Sequence, residues 1–487
     1  MNLFDGSVGF GTGMLLLLCL GIAFAFEFVN GFHDTANAVA TVIYTRSLRP
    51  WVAVIWSGIM NFLGVLLGGT AVAFSIVHLL PTTLLMNLGA TTGILMILSL
   101  LISAMIWNLG TWYFGIPSSS SHTLIGSIFG VGLISSLFSG NGIGSGVNWT
   151  KAYEITLSLL ISPLIGFTSA GLLLLVAKYT IRNKKLYEEP DKESPPPLWI
   201  RAILWLTCTG VSFAHGSNDG QKGMGLVMLI LIAIVPAQYA LNPSLTPAHL
   251  TKSITSVEHL ERITNLYPAR LGEKAESLHA SLATLRSQLQ TSQNLPTISG
   301  DSRIILRRDL NTVDELLAKF EKAKTPPLSA LDKAEFASSR KQLKGMVDYV
   351  ATWVLIAVAM ALGIGTMIGW KRVVKTIGEK IGQTHMTYAQ GASAELVAAI
   401  MISVAAGLGL PVSTTHVLSS GVAGTMTASG SKLQAKTVRN ILLAWVLTLP
   451  VTICLSGLLF YMTTGGSLKA NSLPPVNQGT TQSIQKK

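Results

Sequence analysis

The sequence is poor in charged residues. Asp, Glu, Lys and Arg make up 12% of its 487 residues, about half of the share that is usual in soluble globular domains. Hydrophobic residues make up 49%, and the mean hydropathy is +0.51. These values argue against a water-soluble protein and indicate an all-α polytopic membrane protein.

Cysteine is also scarce. Cys19, Cys208 and Cys454 all lie within apolar runs, and none belongs to a CxxC pair. We therefore expect neither disulfides nor a thiolate metal site. No Lys or Arg precedes the first apolar run and no small-residue cleavage site follows it, so we expect a membrane span there rather than a signal peptide.

The charge that is present is mainly positive. The formal net charge of +12 is compatible with nucleic-acid binding, but the basic residues fall in short loops between apolar runs and in one long insert. Basic loops of this kind set the orientation of a protein in the membrane. We expect the lipid bilayer, and no nucleic acid, as a partner.

Ten apolar segments are candidates to enter the membrane, since a helical crossing takes about 20 residues. They are 11–44, 51–78, 88–115, 117–139, 152–177, 199–237, 347–369, 388–408, 411–429 and 440–463. Lys and Arg follow the first, fifth, seventh and ninth segments, while the alternate connections are nearly bare. The positive-inside rule therefore predicts cytoplasmic positions for these four loops and extracytoplasmic positions for both termini.

The apolar segments and the loops between them divide the chain into five regions. They are a first transmembrane repeat (1–178), a cytoplasmic linker (179–198), a second transmembrane repeat (199–237 and 347–463), a hydrophilic insert (238–346) and a polar C-terminal tail (464–487). The span count places the insert outside the membrane on the extracytoplasmic side. Its leucine spacing predicts a small helical hairpin.

Two short motifs occur twice, each at a constant offset. Residues 28–34 align with 213–219, and residues 115–122 align with 409–416. Five apolar segments precede the linker and five follow it, so the second copy must enter the membrane in the opposite orientation. The pattern predicts an inverted-topology 5+5 repeat with broken helices, which is typical of secondary transporters with a substrate site at mid-membrane.

The links between the third and fourth and between the eighth and ninth segments carry no charge. We therefore expect two re-entrant hairpins whose tips stop near mid-membrane. Each tip leads into an apolar helix through proline and hydroxyl residues, and such helix starts bind anions. The candidate ligands of a tetrahedral oxyanion are Ser120, Ser121, Thr414 and Thr415. Plain helix capping is the alternative interpretation.

Ionisable groups inside a membrane are costly, which makes each one a functional candidate. They are Glu27, His33, Asp34, His122, His215, Asp219, Lys222, Glu395 and His416. A structural role in holding helices together is the alternative. Asp34 and Asp219 occupy matching positions in the two motifs, and with Asn37 and Asn218 they offer oxygen ligands to a small cation, or a carboxylate to a proton.

Five further residues are expected to support the site. Gly31 and Gly216 would allow the helix to unwind beside a ligand, although close helix packing is an alternative role for both. His122 and His416 would orient the hairpin hydroxyls, or serve as structural histidines. Glu27 has no counterpart in the other half, and a structural role is as reasonable for it as a functional one.

Four stretches carry a family resemblance, and they are 31–38, 214–223, 363–370 and 411–420. They resemble the PiT family of inorganic phosphate transporters, most closely the bacterial low-affinity Pit phosphate permeases. The resemblance implies phosphate uptake by alternating access across a bacterial cytoplasmic (inner) membrane, by a homodimer. The family's signature aspartates fall on Asp34 and Asp219, its first-motif asparagine on Asn37, and its hairpin hydroxyls on the four residues named above.

One position departs from the sodium-coupled members of that family. Lys222 stands where they commonly repeat an asparagine, and it aligns with Asn37. A fixed ammonium there would compete with sodium, or attract phosphate. The bacterial Pit permeases share the pair Gln221 and Lys222 and resemble proton-coupled carriers, so both residues are expected to contact the substrate.

The sequence therefore predicts a proton symporter for inorganic phosphate, with a divalent cation such as Mg²⁺ as a candidate co-substrate and no other cofactor. A sulfate permease and a sodium-coupled phosphate symporter are alternatives with the same fold. A non-transporting sensor or receptor is an alternative from another class. An intramembrane hydrolase is less favoured, because two matched sets of hydroxyls suit binding better than one nucleophile.

Overall fold

The computed structural model describes residues 9–81, 84, 89–138, 145–191, 194–291, 299–368, 374, 381–383 and 385–465. The first eight residues, most of the basic loop at 369–380 and the C-terminal tail from 466 onward lie outside this range. The regular structure of the described residues is helical, apart from one isolated bridge between Gly382 and Leu433. The expected all-helical class is confirmed.

The helices fall into three groups. The first half contains α1 (Phe10–Tyr44), α2 (Pro50–Leu67), α3 (Ala71–Val77), α4 (Gly89–Tyr113), α5 (Ser120–Phe138) and α6 (Trp149–Thr180). The second half contains α7 (Leu198–Ile234), α8 (Pro236–Tyr239), α13 (Thr352–Thr366), α14 (Tyr388–Gly407), α15 (Thr414–Ser429) and α16 (Ala435–Thr463). The insert contains α9 (Pro247–Leu266), α10 (Lys274–Thr291), α11 (Gly300–Lys322) and α12 (Ala330–Lys344).

Seven of the described helices are long and apolar enough to cross a membrane, namely α1, α2, α4, α5, α6, α14 and α16. The other three predicted segments form α7, which carries Asp219 and Lys222, and the shorter α13 and α15. The chain is a multi-pass membrane protein, as its hydropathy predicts.

The second apolar segment is broken. We expected one continuous segment over 51–78, but α2 ends at Leu67 and α3 begins at Ala71. Gly69 lies between them with a φ of +86°, a conformation that favours glycine. The side chain of Gln221 on α7 closes the gap, because its Nε2 donates to the Gly68 carbonyl at 2.9 Å and its Oε1 accepts from the Val72 amide at 2.8 Å.

The main contacts between helices come in corresponding pairs. Helix α2 packs on α7 and α13 packs on α1, while α4 packs on α1 and α14 packs on α7. Likewise α5 packs on α16 and α15 packs on α6. The second helix of each predicted hairpin, α5 or α15, therefore packs on the last helix of the opposite half. An inverted repeat would produce this pairing, and the orientation of the halves in a membrane stays a prediction.

The insert has its own apolar core. Four helices surround it rather than the two of the expected hairpin, with Leu260, Leu282, Leu317, Phe320 and Phe336 among its buried residues. A single local pattern of leucines could not show how many helices share one core. The buried Arg307 joins the two ends of the insert, since its Nη1 donates to the carbonyls of Ala240 at 2.8 Å and Val347 at 3.3 Å.

Candidate functional site

The two duplicated motifs lie side by side in the middle of α1 and α7. Both helices run unbroken through them, so the unwinding expected at Gly31 and Gly216 does not occur. A Cβ at Gly31 would collide with the backbone of Leu362 and Thr366 on α13, and one at Gly216 with the backbone of Asn61 on α2. The alternative role of close helix packing is therefore the observed one.

Asp34 brings the tips of the two hairpins together. Ser120 Oγ, at the start of α5, donates to Asp34 Oδ2 at 3.0 Å, and Thr415 Oγ1, near the start of α15, donates to Oδ1 at 2.6 Å. Asn37 Nδ2 donates to Thr415 Oγ1 at 3.0 Å and lies 3.3 Å from Asp34 Oδ1. His33, the next residue along the chain, lies 3.4 Å from the same oxygen. One buried carboxylate thus joins helices from both halves.

Lys222 makes the corresponding connection from α7. Its Nζ donates to Asp219 Oδ1 at 2.5 Å, to Ser121 Oγ at 2.5 Å and to the Val412 carbonyl at 2.7 Å. An ammonium has three protons to donate, so these partners satisfy it. The contact of Lys222 with Ser121 corresponds to that of Asn37 with Thr415. Lys222 can therefore bind a substrate anion only by giving up one of its present partners.

His215, expected only as one of the intramembrane ionisable candidates, also belongs to the site. Its Nε2 lies 3.2 Å from Asp219 Oδ2 and 3.7 Å from Asp34 Oδ2. The i, i+4 spacing of His215 and Asp219 places both on one helix face, and this signal was available in the sequence. Ligand atoms of Asp34, His215 and Asp219 all lie within 4.8 Å of one another, a separation that suits one shared cation.

The orientation of His215 follows from its second hydrogen bond. Its Nδ1 lies 2.6 Å from Asn61 Oδ1, and Asn61 Nδ2 donates to the Ser57 carbonyl at 3.0 Å. The amide of Asn61 thus presents its oxygen to the ring, so Nδ1 is the donor and Nε2 faces the two carboxylates. Neither His215 Nε2 nor Asp219 Oδ2 has a hydrogen-bond partner among the described residues. A cation or a proton between them would satisfy both atoms.

Two predicted ligands contact the backbone outside this cluster. Asn218 Nδ2 donates to the Leu410 carbonyl at 3.2 Å, and its Oδ1 accepts from the Val412 amide at 3.4 Å. Asn218 therefore fixes the link between α14 and α15. Gln221 closes the gap between α2 and α3. Both amides position other parts of the site in this structure, and neither joins Asp34 and Asp219.

The hairpin helices are capped by the residues just before the predicted hydroxyls. Ser119 Oγ accepts from the His122 amide at 3.2 Å, and Ser413 Oγ accepts from the His416 amide at 3.2 Å. This leaves the hydroxyls of Ser120, Ser121 and Thr415 to make contacts across the site. Thr414, which begins α15, is buried beside them. Capping and a role at the site thus fall on different residues of each tip.

The two hairpin histidines lie against each other. The rings of His122 and His416 are 4.5 Å apart, and His416 stacks on Trp445 of α16 at 4.0 Å. His122 Nδ1 lies 2.8 Å from Ser119 Oγ. His122 thus contacts the capping hydroxyl of α5, and His416 packs against His122 and Trp445, so neither ring contacts one of the four predicted hydroxyl ligands in these contacts.

Two buried glutamates lie on either side of the cluster along α7. Glu27 lies against Gly223, one turn beyond Asp219. Glu395 of α14 accepts a hydrogen bond from Thr207 Oγ1 at 2.5 Å, two turns before His215. Both glutamates are fully buried.

The charges of the central cluster balance only with an added proton or cation. Asp34 and Asp219 contribute two negative charges and Lys222 one positive charge, all at 2% exposure or less. With a neutral His215 the cluster carries one net negative charge, which is costly in a buried site. The cluster therefore favours a cation, whereas the adjoining starts of α5 and α15 favour an anion.

The chain is similar to known phosphate transporters. A family model described as the phosphate transporter family matches residues 30–456. The low-affinity inorganic phosphate transporter PitA of Escherichia coli strain K12 is 45% identical, over 95% of this chain and 99% of its own length. PitB of the same strain is 43% identical over the same shares of the two chains.

A more distant relative and a solved structure extend the comparison. A probable low-affinity inorganic phosphate transporter of Bacillus subtilis is 28% identical, over 92% of this chain and 96% of its own length. A structure described as the sodium-dependent phosphate transporter shares the fold, with a TM-score of 0.53 at 19% identity. The alignment covers 93% of this chain and 99% of that one.

Proposed function

The chain belongs to the phosphate transporter family, and from this premise we propose that it imports inorganic phosphate by proton symport with alternating access. It is an inorganic phosphate transporter rather than an enzyme, as its motifs predict. We propose in particular which ion is coupled to transport, in what form phosphate is carried and which residues bind it.

The observation that carries the proposal is the meeting of an anion site and a cation site in one buried cluster. The starts of α5 and α15 present amide groups and the hydroxyls of Ser120, Ser121, Thr414 and Thr415 to phosphate. Asp34, Asp219 and His215 present an imidazole nitrogen and carboxylate oxygens to a cation, with Asn37 beside them. Lys222 lies between the two sites and can contact phosphate once Ser121 or Val412 is released.

The charge balance favours a neutral cargo. A divalent cation such as Mg²⁺ compensates the two charges of hydrogen phosphate, and a neutral complex avoids the cost of moving net charge through a buried site. The imidazole nitrogen of His215 widens the set of suitable cations beyond Mg²⁺, because nitrogen ligands also suit Mn²⁺, Co²⁺ and Zn²⁺. We therefore propose that phosphate is carried with a divalent cation.

Lys222 supports proton rather than sodium coupling. Its ammonium fills the space between Asp219, Ser121 and Val412, at the position that aligns with Asn37 of the first motif. A sodium ion there would lie next to a fixed positive charge. The solved relative described as sodium-dependent shares only the fold with this chain, so sodium coupling stays the alternative.

The buried state of the site supports alternating access. Asp34, Lys222, Ser120 and Thr415 are each 4% exposed or less, which closes the site to both surfaces. Phosphate can enter only after the hairpins separate from α1 and α7. Since each hairpin helix packs on the last helix of the opposite half, α5 with α16 and α15 with α6 are the natural moving units.

We also propose in which membrane the protein lies, how it is oriented there and that it forms a homodimer. The bacterial source of the similar transporters supports a cytoplasmic membrane. The basic loops support extracytoplasmic termini. The family resemblance supports a homodimer.

The experiment is phosphate uptake into proteoliposomes under imposed pH and sodium gradients, applied separately. A pH gradient should drive accumulation and a sodium gradient should not. The opposite result would assign sodium as the coupling ion. Competition by sulfate tests the substrate, since a sulfate permease would lose labelled phosphate uptake at equal sulfate concentrations. Uptake that persists after deletion of 245–340 would exclude a sensor whose function depends on the insert.

A further inference from the structure

Glu27 is a buried acid that the binding site does not use. Its side chain is 0% exposed, and neither carboxylate oxygen accepts a well-formed hydrogen bond among the described residues, although the Asn30 side chain lies one turn along α1. A buried carboxylate with so few donors is far more costly than a buried neutral acid. Burial in this closed structure therefore favours the protonated acid.

Gly223 lets Glu27 lie directly against α7. A Cβ at Gly223 would collide with Glu27 Cδ, so a larger residue there would displace the carboxyl group. Gly223 directly follows Lys222, and Glu27 interacts electrostatically with Lys222, Asp219 and His215. Glu27 is thus not one of the proposed ligands, but their charges act on its carboxyl group.

The other elements packed on α1 offer Glu27 little charge. Among their described residues, α2, α4 and α13 carry no Asp, Glu, Lys, Arg or His. His33 and Asp34 lie on α1 itself, Glu395 lies on α14 and His416 on α15. The charges that act on Glu27 from neighbouring elements therefore come mainly from the three charged or titratable groups of α7.

We propose that Glu27 carries the coupled proton, an inference that rests on the proton symport proposed above. Phosphate at the hairpin tips adds negative charge beside Lys222 and so favours protonated Glu27. Once the site has opened toward the cytoplasm and phosphate has left, the entering water and the ammonium of Lys222 favour the ionised acid, and the proton passes to cytoplasmic water. Proton and phosphate then move in the same direction.

The test compares wild type with Glu27→Gln, whose amide has nearly the shape of the protonated acid and cannot release a proton. Purified proteins are placed in liposomes with the membrane potential clamped. One assay measures accumulation of labelled phosphate driven by a pH gradient. The other measures exchange of labelled for unlabelled phosphate at equal pH on both sides. Glu154→Gln is the matched control, since Glu154 pairs with Lys151 at an end of α6.

One pH unit is worth about tenfold in accumulation for one coupled proton. Wild type and Glu154→Gln should reach that ratio per unit. Glu27→Gln should stay near a ratio of about one, with exchange kept within about threefold of wild type. Accumulation by Glu27→Gln that equals wild type would overturn the assignment of Glu27. Absence of pH-driven accumulation in wild type would instead refute proton coupling itself.

Two further outcomes are decisive. Loss of both exchange and accumulation in a monodisperse Glu27→Gln protein would place Glu27 in binding or packing and overturn the inference. If Glu27→Gln does not fold, Glu27→Asp takes its place. Exchange should then persist while the pH profile of accumulation shifts, and an unchanged profile would overturn the inference.

Discussion

At the scale of single residues, Asp34 and Asp219 occupy matching positions but have different partners. Asp34 accepts hydrogen bonds from Ser120 and Thr415, one from each hairpin. Asp219 pairs with Lys222 and His215 of its own helix. Asp34 thus connects the two hairpin tips. Asp219 forms an ion pair with Lys222, and this pair must rearrange when substrate binds. The repeat is symmetrical in position and asymmetrical in chemistry.

We expect Asp34→Asn and Asp219→Asn each to lower phosphate uptake in proteoliposomes by at least about tenfold, because each loses charge-assisted hydrogen bonds of about 1.5–3 kcal/mol. Asp301→Asn, an exposed position at the start of α11, is the matched control and should transport normally. Uptake by both site variants at the wild-type rate would show that neither carboxylate binds the coupling ion or the metal.

Replacement of Lys222 by Asn makes the second motif match Asn37 of the first. Asp219 then loses its ammonium partner, and the space becomes available to a sodium ion. We expect Lys222→Asn to lose pH-driven uptake by at least about tenfold and to gain stimulation by sodium that wild type lacks. Initial uptake rates with and without sodium measure both effects. Uptake by Lys222→Asn at the wild-type rate, unchanged by sodium, would refute the proposed role of Lys222.

Some residues of the site could be predicted from the sequence, whereas the contacts of others could not. The duplicated motifs indicated Asp34, Asp219 and the hairpin hydroxyls as site residues, because repeated polar residues in an apolar chain are rare and costly. The contacts of Gln221 and Asn218 could not be predicted, since their partners are backbone groups of distant segments. His215 is an intermediate case, as its helical spacing to Asp219 was visible but its orientation depends on Asn61 of α2.

At the scale of helices, close packing decides what the motif glycines do. A glycine in a membrane helix can mark either a break or a close contact, and its local sequence does not distinguish the two. Gly31 and Gly216 make contacts, whereas Gly69 lies at the actual break between α2 and α3. The neighbouring helix determines which role each glycine has, and the sequence alone does not reveal that neighbour.

We expect Gly31→Ala and Gly216→Ala to push α1 from α13 and α7 from α2, with a lower melting temperature and at least about tenfold slower uptake, because overpacking a close contact typically costs 1–3 kcal/mol. Gly21→Ala in α1 is the matched control, since a Cβ at Gly21 meets no atom within 4 Å. Thermal unfolding in detergent and initial uptake rates are the measurements. Equal behaviour of all three variants would contradict the close-packing role.

Arg307 supports a prediction for the insert. Its side chain donates to Ala240 and Val347, the two ends of the insert, and is 1% exposed. Arg307→Met leaves buried carbonyls without donors, at a cost of about 1–3 kcal/mol each. We expect faster cleavage of the insert by protease, measured on the purified protein. Arg308→Met, at a half-buried neighbouring position, should be cleaved at the wild-type rate.

At the scale of the whole molecule, opposite orientation of the two halves accounts for the paired helix contacts. It also places two corresponding connections, the loop after α1 and the insert after α7, on opposite sides of the membrane. We therefore expect Ser277→Cys, on an exposed face of α10, to react with a membrane-impermeant maleimide in intact cells. Arg49→Cys, at an exposed position between α1 and α2, should react only after permeabilisation.

Both variants are made in a background where the native cysteines are replaced by serine, so that labelling reports one position. Labelling of both positions from outside would contradict the inverted repeat. The site would then lose its basis for access from two sides, because the two hairpins reach Asp34 from opposite sides of the membrane only if the halves cross it in opposite senses. The topology and the position of the binding site are thus tested by one measurement.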